Sequence, residues 1–532
     1  MSFSTGQLLL LNCIMYMTGE PFPPVSSFQG RSLGELLSAV PPGRIDPAAR
    51  YDCFITGGEW LKILHCFRRE PQLSGMRIVT FHEDRGPGGG GGQSAVFLSP
   101  EASEAVVVFK GTQSSEEWGD NFAGVNLSDT PQQRNALQWF RQAYRGLGLQ
   151  QYRITVTGHS KGGNKAKYVS ILDERVSQCV SFDGQGFSDA FITKYSAQIA
   201  SRQRLVENHN AEYDFVNFLF NQIGGASFYT ASPLENAGLA RNHSPAAMMH
   251  FSMDGQFRMV PSPHGQAEGI AALSRFSDSF FASLSPRQRE TSYRTVEALR
   301  SAAFSMHATD GKDFLNVFLP LLAHPDHTDD LAYLLAYTVE YEQHFPEFIE
   351  QLRSLLVPFG LVDFTKYILL VDGILNLNLD TPFGTVTFDS LFDNISRSAQ
   401  GIPAGLLAIL IGWAASQGIE ITLGQLRQLL AILPRVNDYM NTITIDQWGT
   451  ARDPSPTHTT RLTQLSRSLE RLGTVMGGSA PGQSSGMPPS RLRNAGSRLR
   501  TVGRITGQIS SVLQQVQPEP QPTEDPGDTI DV

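Results

Sequence analysis

Ile154-Thr155-Val156-Thr157-Gly158-His159-Ser160-Lys161-Gly162-Gly163-Asn164 is a β-branched run ending in Gly-x-Ser-x-Gly, and Lys165-Ala166-Lys167-Tyr168-Val169 continues it with helix-compatible residues. This is strand, sharp turn, helix, with a serine at the corner. Such a turn strains the serine backbone and lifts its hydroxyl above the sheet edge. Gly158 and Gly162 are required because a Cβ at either position would strike the neighbouring strand or helix. The serine also heads a helix, where free N–H groups favour developing negative charge.

Upstream, Ala105-Val106-Val107-Val108-Phe109 is a continuous apolar run, the pattern of a strand buried on both faces. It ends at Lys110-Gly111-Thr112. A glycine-flanked backbone N–H and the Thr112 hydroxyl at a strand's carboxyl end suit an oxyanion hole, with the backbone N–H of Lys161 as second donor. The Lys161 ammonium is expected in solvent or near an acidic loop. Met76 to Phe81 and Gln93 to Leu98 read as a hairpin whose tip holds Gly86-Pro87-Gly88; no Gly-Lys-Ser/Thr follows, so the glycines are not a phosphate loop. Trp118, Asp120 and Asn121 open a loop, and 131–145 is an amphipathic helix. Gln178 to Phe182 is a further strand, closing in Asp183-Gly184-Gln185-Gly186-Phe187. The order of elements predicts an α/β fold with a doubly wound, mostly parallel sheet.

Val107 to Thr112, Gly158 to Asn164 and Ser181 to Phe187 together resemble the class 3 lipase branch of the α/β-hydrolases. The resemblance is closer still to an uncharacterised bacterial family of that branch, the Mbeg-like hydrolases, which carry Gly-His-Ser-Lys-Gly-Gly-Asn and Phe-Asp-Gly-x-Gly-Phe. It covers residues 1–265. It implies a serine hydrolase acting on carboxylic esters, with acyl esters or lipids as substrates and a Ser-Asp-His triad in that chain order. Matched residue by residue, the nucleophile is Ser160, the acid Asp214 and the base His243. Relatives carry a tryptophan shortly after that histidine; here Ala246-Ala247-Met248-Met249-His250 stands instead, so His250 is a rival base. Asp183, after the next strand, is a rival acid, although its flanking glycines suggest a turn. His159 is a packing residue, since a side chain next to the nucleophile points away from it. His209 reads as a surface histidine. The alternative from another class is a catalytically inactive hydrolase fold that binds partners through its helical half.

The 532 residues carry a formal charge of −9, which argues against nucleic-acid binding by the whole chain. No metal or organic cofactor is implied. Four cysteines, with no close pair, read as buried thiols in a reducing compartment. Leu8-Leu9-Leu10-Leu11 lacks a basic flank and a cleavage site, so a packed helix is expected there, and a cytoplasmic location. From 266 to 449 the pattern is mainly helical, with Leu273, Phe276, Phe280 and Phe281 at helical spacing. Its most apolar run, 402–415, is too short to span a membrane. Residues 450–532 are of low complexity and expected to be disordered. Peripheral membrane contact is open through 402–415 or through the Arg-rich tail, with Arg491, Arg493, Arg498, Arg500 and Arg504.

Overall fold

A computed structural model describes residues 3–285 apart from 86–89, 100, 102, 113–114 and 235–238, and parts of 287–298, 318–351, 370–388 and 404–445. The hairpin tip at Gly86-Pro87-Gly88, the start of the 402–415 run and the Arg-rich tail lie outside the described residues. Met1–Arg452 form one compact unit.

Helices α1 (Thr5–Ile14), α2 (Leu33–Ala39), α3 (Gly57–Arg68) and the short α4 (Pro71–Ser74) precede the sheet. Ser4, Ser32 and Thr56 head the first three as capping boxes, with Gln7, Glu35 and Glu59 reaching back. Strands β1 (Arg77–Glu83), β2 (Gln93–Ser99) and β3 (Glu104–Phe109) follow, then α5 (Ser115–Ala123) and α6 (Pro131–Gly146). Next come β4 (Arg153–His159), α7 (Lys161–Leu172), β5 (Val176–Phe182), α8 (Asp189–Lys194), α9 (Ser196–Arg202), β6 (Val206–Ala211) and β7 (Ala226–Thr230). The seven strands lie in chain order; β1 to β3 pair antiparallel, and β3 to β7 pair parallel. The fold is therefore α/β with a mostly parallel sheet between helical layers, as the order of elements in the sequence predicts.

Alternation along the strands sorts their side chains onto two apolar cores. Val106 and Val108 face α1 and α3, together with Leu9, Ile14, Trp60 and Phe67. Ala105, Val107 and Phe109 face the opposite layer, with Phe140 of α6 and Val169 of α7. β4 follows the same rule: Ile154 and Val156 join the second core, while Thr157 turns to α1 and accepts a hydrogen bond from Asn12 at 2.9 Å.

Two local expectations change. Trp118, Asp120 and Asn121 lie in helix α5, not a loop; its nine residues give little periodicity to read. β6 was hidden because Asn208, His209 and Asn210 are polar yet buried, so the strand lacks the apolar alternation that marks β-structure.

After the sheet come α10 (Leu239–Asn242), the small ribbon β8 (His250–Phe251) and β9 (Phe257–Arg258), and α11 (Glu268–Ser283). α12 (Thr328–His344), α13 (Ala404–Ser416) and α14 (Leu423–Met440) complete the described helices that matter here. They share an apolar core of their own, in which Phe280, Tyr337, Leu407 and Leu430 are buried. Among the described residues, no helix is long and apolar enough to cross a membrane.

Candidate active site

The corner between β4 and α7 has the expected geometry. Ser160 takes φ 60° and ψ −129°, a region that side chains rarely adopt. The glycines explain how the turn closes: a Cβ on Gly158 would lie 2.1 Å from the Gly162 carbonyl carbon, and one on Gly162 would lie 2.0 Å from the Phe109 oxygen. The Ser160 N–H donates to the Phe182 carbonyl at 2.9 Å, which ties the corner to β5.

Ser160 Oγ lies 2.8 Å from His243 Nε2, and His243 Nδ1 lies 2.6 Å from Asp214 Oδ1. The carboxylate accepts a hydrogen bond from Nδ1–H, which leaves Nε2 as an acceptor for the serine hydroxyl. Asp214 is fully buried, and its second oxygen accepts from the N–H groups of Val216 at 3.0 Å and Asn217 at 2.7 Å. It thus both caps the turn into Phe215 to Phe220 and orients His243. Ser244 caps the following helical turn with its hydroxyl on the Ala246 N–H, and so fixes the chain beside His243.

His250 is elsewhere: its Nε2 donates to the Ala231 carbonyl at 2.7 Å, within the ribbon. Ala246, Ala247, Met248 and Met249, which replace the expected tryptophan, are buried; the last three join the core around α1. His209 is buried rather than on the surface, with its ring stacked on Phe228. Asp183 sits beneath the site with no exposure and accepts from the Ala211 N–H at 2.7 Å.

Gly111 carries Thr112 close to the serine: a Cβ on Gly111 would lie 3.0 Å from the Ser160 Cβ and 2.5 Å from the Tyr16 hydroxyl. The Thr112 hydroxyl accepts from Asn121 Nδ2 at 2.8 Å, and Lys161 is the first residue of α7. The Lys161 ammonium is not in solvent. It is buried 2.8 Å from Asp120, which also accepts from Thr130 Oγ1 and the Gln132 N–H. Burial pushes the lysine down from its ordinary value, and Asp120 opposes that push. Burial pushes Asp120 up, but Lys161 together with the Thr130 hydroxyl and the Gln132 N–H keeps it below the usual carboxylate range.

Sequence reasoning missed three contributors. Tyr16 of α1 holds His159 Nδ1 at 2.7 Å; burial and then neighbouring His243 drive His159 well below its ordinary value, so it stays neutral. The uncharged ring puts no second cation beside His243, whose ring centroid is 4.8 Å away. Asn217 donates to Asp183 at 3.4 Å and accepts from Gln266 at 3.2 Å. Third, a cavity of about 290 Å³ opens from Ser160, walled by Phe215, Phe218, Leu273, Phe276 and Phe280. The helical spacing of the α11 aromatics was legible, but not that they would face the serine.

Among the described residues, one group gathers enough side-chain ligand atoms for an ion: His159, Asp183 and His243, all within 4.8 Å of one another. Both His243 nitrogens and His159 Nδ1 already have hydrogen-bond partners. That leaves His159 Nε2 and one Asp183 oxygen, too few ligands for a closed zinc site.

Residues 70–208 match the Mbeg1-like family model. This Mbeg1-like stretch holds the sheet from before β1 to within β6, with Gly111, Thr112, Ser160 and Asp183, but not Asp214 or His243. No curated protein matches the chain in sequence. Solved structures similar to it include the Lip2 lipase from Yarrowia lipolytica, at 12% identity over 43% of this chain and 78% of that one, with a TM-score of 0.27. A triacylglycerol lipase from Penicillium expansum aligns at 14% identity over 32% of this chain and 72% of that one, TM-score 0.22. Lipase II from Rhizopus niveus aligns at 15% identity over 29% and 63%, TM-score 0.22.

Proposed function

We propose that this chain is a serine hydrolase of carboxylic esters, with Ser160 as nucleophile, His243 as base and Asp214 as the acid that orients it. One observation carries the reading: the continuous hydrogen-bonded line from Asp214 through both ring nitrogens of His243 to the Ser160 hydroxyl. A serine hydroxyl is a poor nucleophile until an imidazole takes its proton, and a carboxylate stabilises the imidazolium that results. In the reaction, Ser160 Oγ attacks the ester carbonyl while His243 accepts the proton. The backbone N–H groups of Thr112 and Lys161 receive the oxyanion. His243 then returns the proton to the leaving alcohol, and water hydrolyses the acyl-enzyme by the same route.

The apolar cavity beside Ser160 favours an ester whose acyl part is hydrocarbon, so a lipid-like ester is the substrate class. The domain carrying this chemistry is 1–265, with residues from 266 onward supplying one wall of the cavity. A fluorophosphonate probe tests the reading. Wild-type protein is expected to be labelled at Ser160 and Ser160→Ala not at all, with ester turnover falling about 10⁶-fold in the variant. An unlabelled wild type would favour a binding protein on the same fold.

A further inference from the structure

Asp183 does something unusual for a buried acid. It follows β5 with φ 45°, a backbone conformation rare for a side-chain-bearing residue, and it has no exposure to solvent. Its backbone N–H donates to the His209 carbonyl at 2.9 Å, which locks it across to β6. One carboxyl oxygen accepts from the Ala211 N–H at 2.7 Å and from Asn217 Nδ2 at 3.4 Å. The other oxygen, equally buried, meets no N–H or O–H donor. Asn217 joins the two acids, its Nδ2 on Asp183 and its backbone N–H on Asp214 at 2.7 Å, so the carboxyls are neighbours within reach of a shared hydrogen bond.

Two carboxylate oxygens attract each other only when a proton lies between them. The partners already in place decide which acid holds it. Asp214 receives three donors: the His243 Nδ1–H and the N–H groups of Val216 and Asn217. Asp183 receives two on one oxygen and none on the other. The oxygen without a donor is where a proton removes an unmet acceptor and supplies a donor at once.

We propose that Asp183 is a neutral carboxylic acid that donates a hydrogen bond to Asp214, so that two carboxyls sharing one proton, rather than one carboxylate, orient His243. The proposal rests on the reading of Ser160, His243 and Asp214 as a triad. It makes Asp183 a positioning residue, not a second triad acid.

The surroundings agree. The titratable groups around Asp183 are Asp214 and His243 from the later loops, His159 from β4 and Tyr229 from β7. Lys167 of α7 reaches the adjoining Gly184, but its ammonium is used on the Gly184 carbonyl at 3.0 Å and on Gln222 at 2.7 Å. Among the described residues, no lysine or arginine is thus paired with Asp183 to hold it ionised. Burial first, and the Asp214 charge second, push Asp183 well above the usual carboxylate range. With Asp183 neutral the acid pair carries one negative charge, which the imidazolium formed in the reaction balances. With both acids ionised, a buried net charge would remain. Asp183 keeps its proton throughout and transfers nothing.

The full chain labelled with carboxyl-¹³C aspartate tests this at about pH 8, well above the ordinary aspartate range. A protonated aspartate carboxyl is expected in the wild type and in Ser160→Ala, and is expected to vanish in Asp183→Asn. The spectrum reads the proton whether or not the protein hydrolyses esters, so a failed triad and a failed proton assignment are separable. Kinetically, Asp183→Asn is expected to stay within about threefold of wild type, because its amide still donates to Asp214. Asp183→Ala is expected to fall about 10- to 100-fold, the worth of a hydrogen bond to a charged group. Asp214→Asn should lose about 10⁴-fold. An Asp183→Asn variant as damaged as Asp214→Asn would overturn the proposal. So would a wild-type spectrum with no protonated aspartate, and that measurement needs no variant to fold.

Discussion

The sheet half and the helical half are both well packed, but with different materials. Around the corner serine the interior is threaded by ion pairs: Lys161 with Asp120, Lys165 with Glu117, and Lys110 with Asp52 at 2.7 Å. Behind α11 the interior is aromatic. Phe276 stacks on Phe348 and packs edge-on against Tyr337 and Tyr341, and Phe280 meets Tyr333 and Tyr337. Buried ion pairs are costly to form and yield little net stability, yet they fix where neighbouring groups sit. Aromatic clusters stabilise by area and tolerate adjustment. One half is therefore built to hold positions, and the other to offer a greasy surface. The cavity at Ser160 lies where the two meet.

The contrast can be broken first at Lys161. Lys161→Met leaves Asp120 buried without its cation and is expected to lower unfolding free energy by about 3–5 kcal/mol, measured by urea denaturation. Replacing the partner as well, in Lys161→Met with Asp120→Leu, should restore most of that loss. If the single variant costs nothing, the pair is not a structural element of the corner. A smaller effect is expected on the aromatic side. Phe276→Ala widens the cavity and should cut turnover of long-chain esters relative to short-chain ones by about 10- to 100-fold. An unchanged chain-length profile would remove α11 from the binding wall. Smallest of all, His250→Ala should leave turnover within about twofold, since that ring serves only the Ala231 carbonyl. A loss comparable to that of His243→Ala would reverse the choice of base.

The halves also differ in how far the chain reveals them. Gly158, Ser160 and Gly162 are legible because a strained corner admits few residues, so pattern and geometry are nearly the same information. The strand Ala105 to Phe109 is legible for a similar reason: only a doubly buried strand is apolar at every position. The choice between His243 and His250 was not, because both follow β7 in chain order and only the fold of 244–250 separates them. For Lys161 the sequence left solvent and an acidic neighbour both open, because a lysine is normally solvated and its burial depends on an acid on α5 far from it in sequence. Tyr16 gave no signal, since its partner His159 lies 143 residues away in sequence. On the helical side the apolar spacing gave the helices, but not the direction in which their faces point.

Ser160 comes from β4–α7, and part of the wall it faces comes from α11, more than a hundred residues later. A fragment trimmed to the Mbeg1-like stretch would omit both the imidazole and its carboxylate. One extended to residue 265 would recover them, but would bare Phe215, Phe218 and Phe220 to water where Leu273, Phe276 and Phe281 now cover them. Such a fragment would carry the reactive groups on an uncovered oily face, prone to self-association. The dependable unit for expression and assay is accordingly the longer chain.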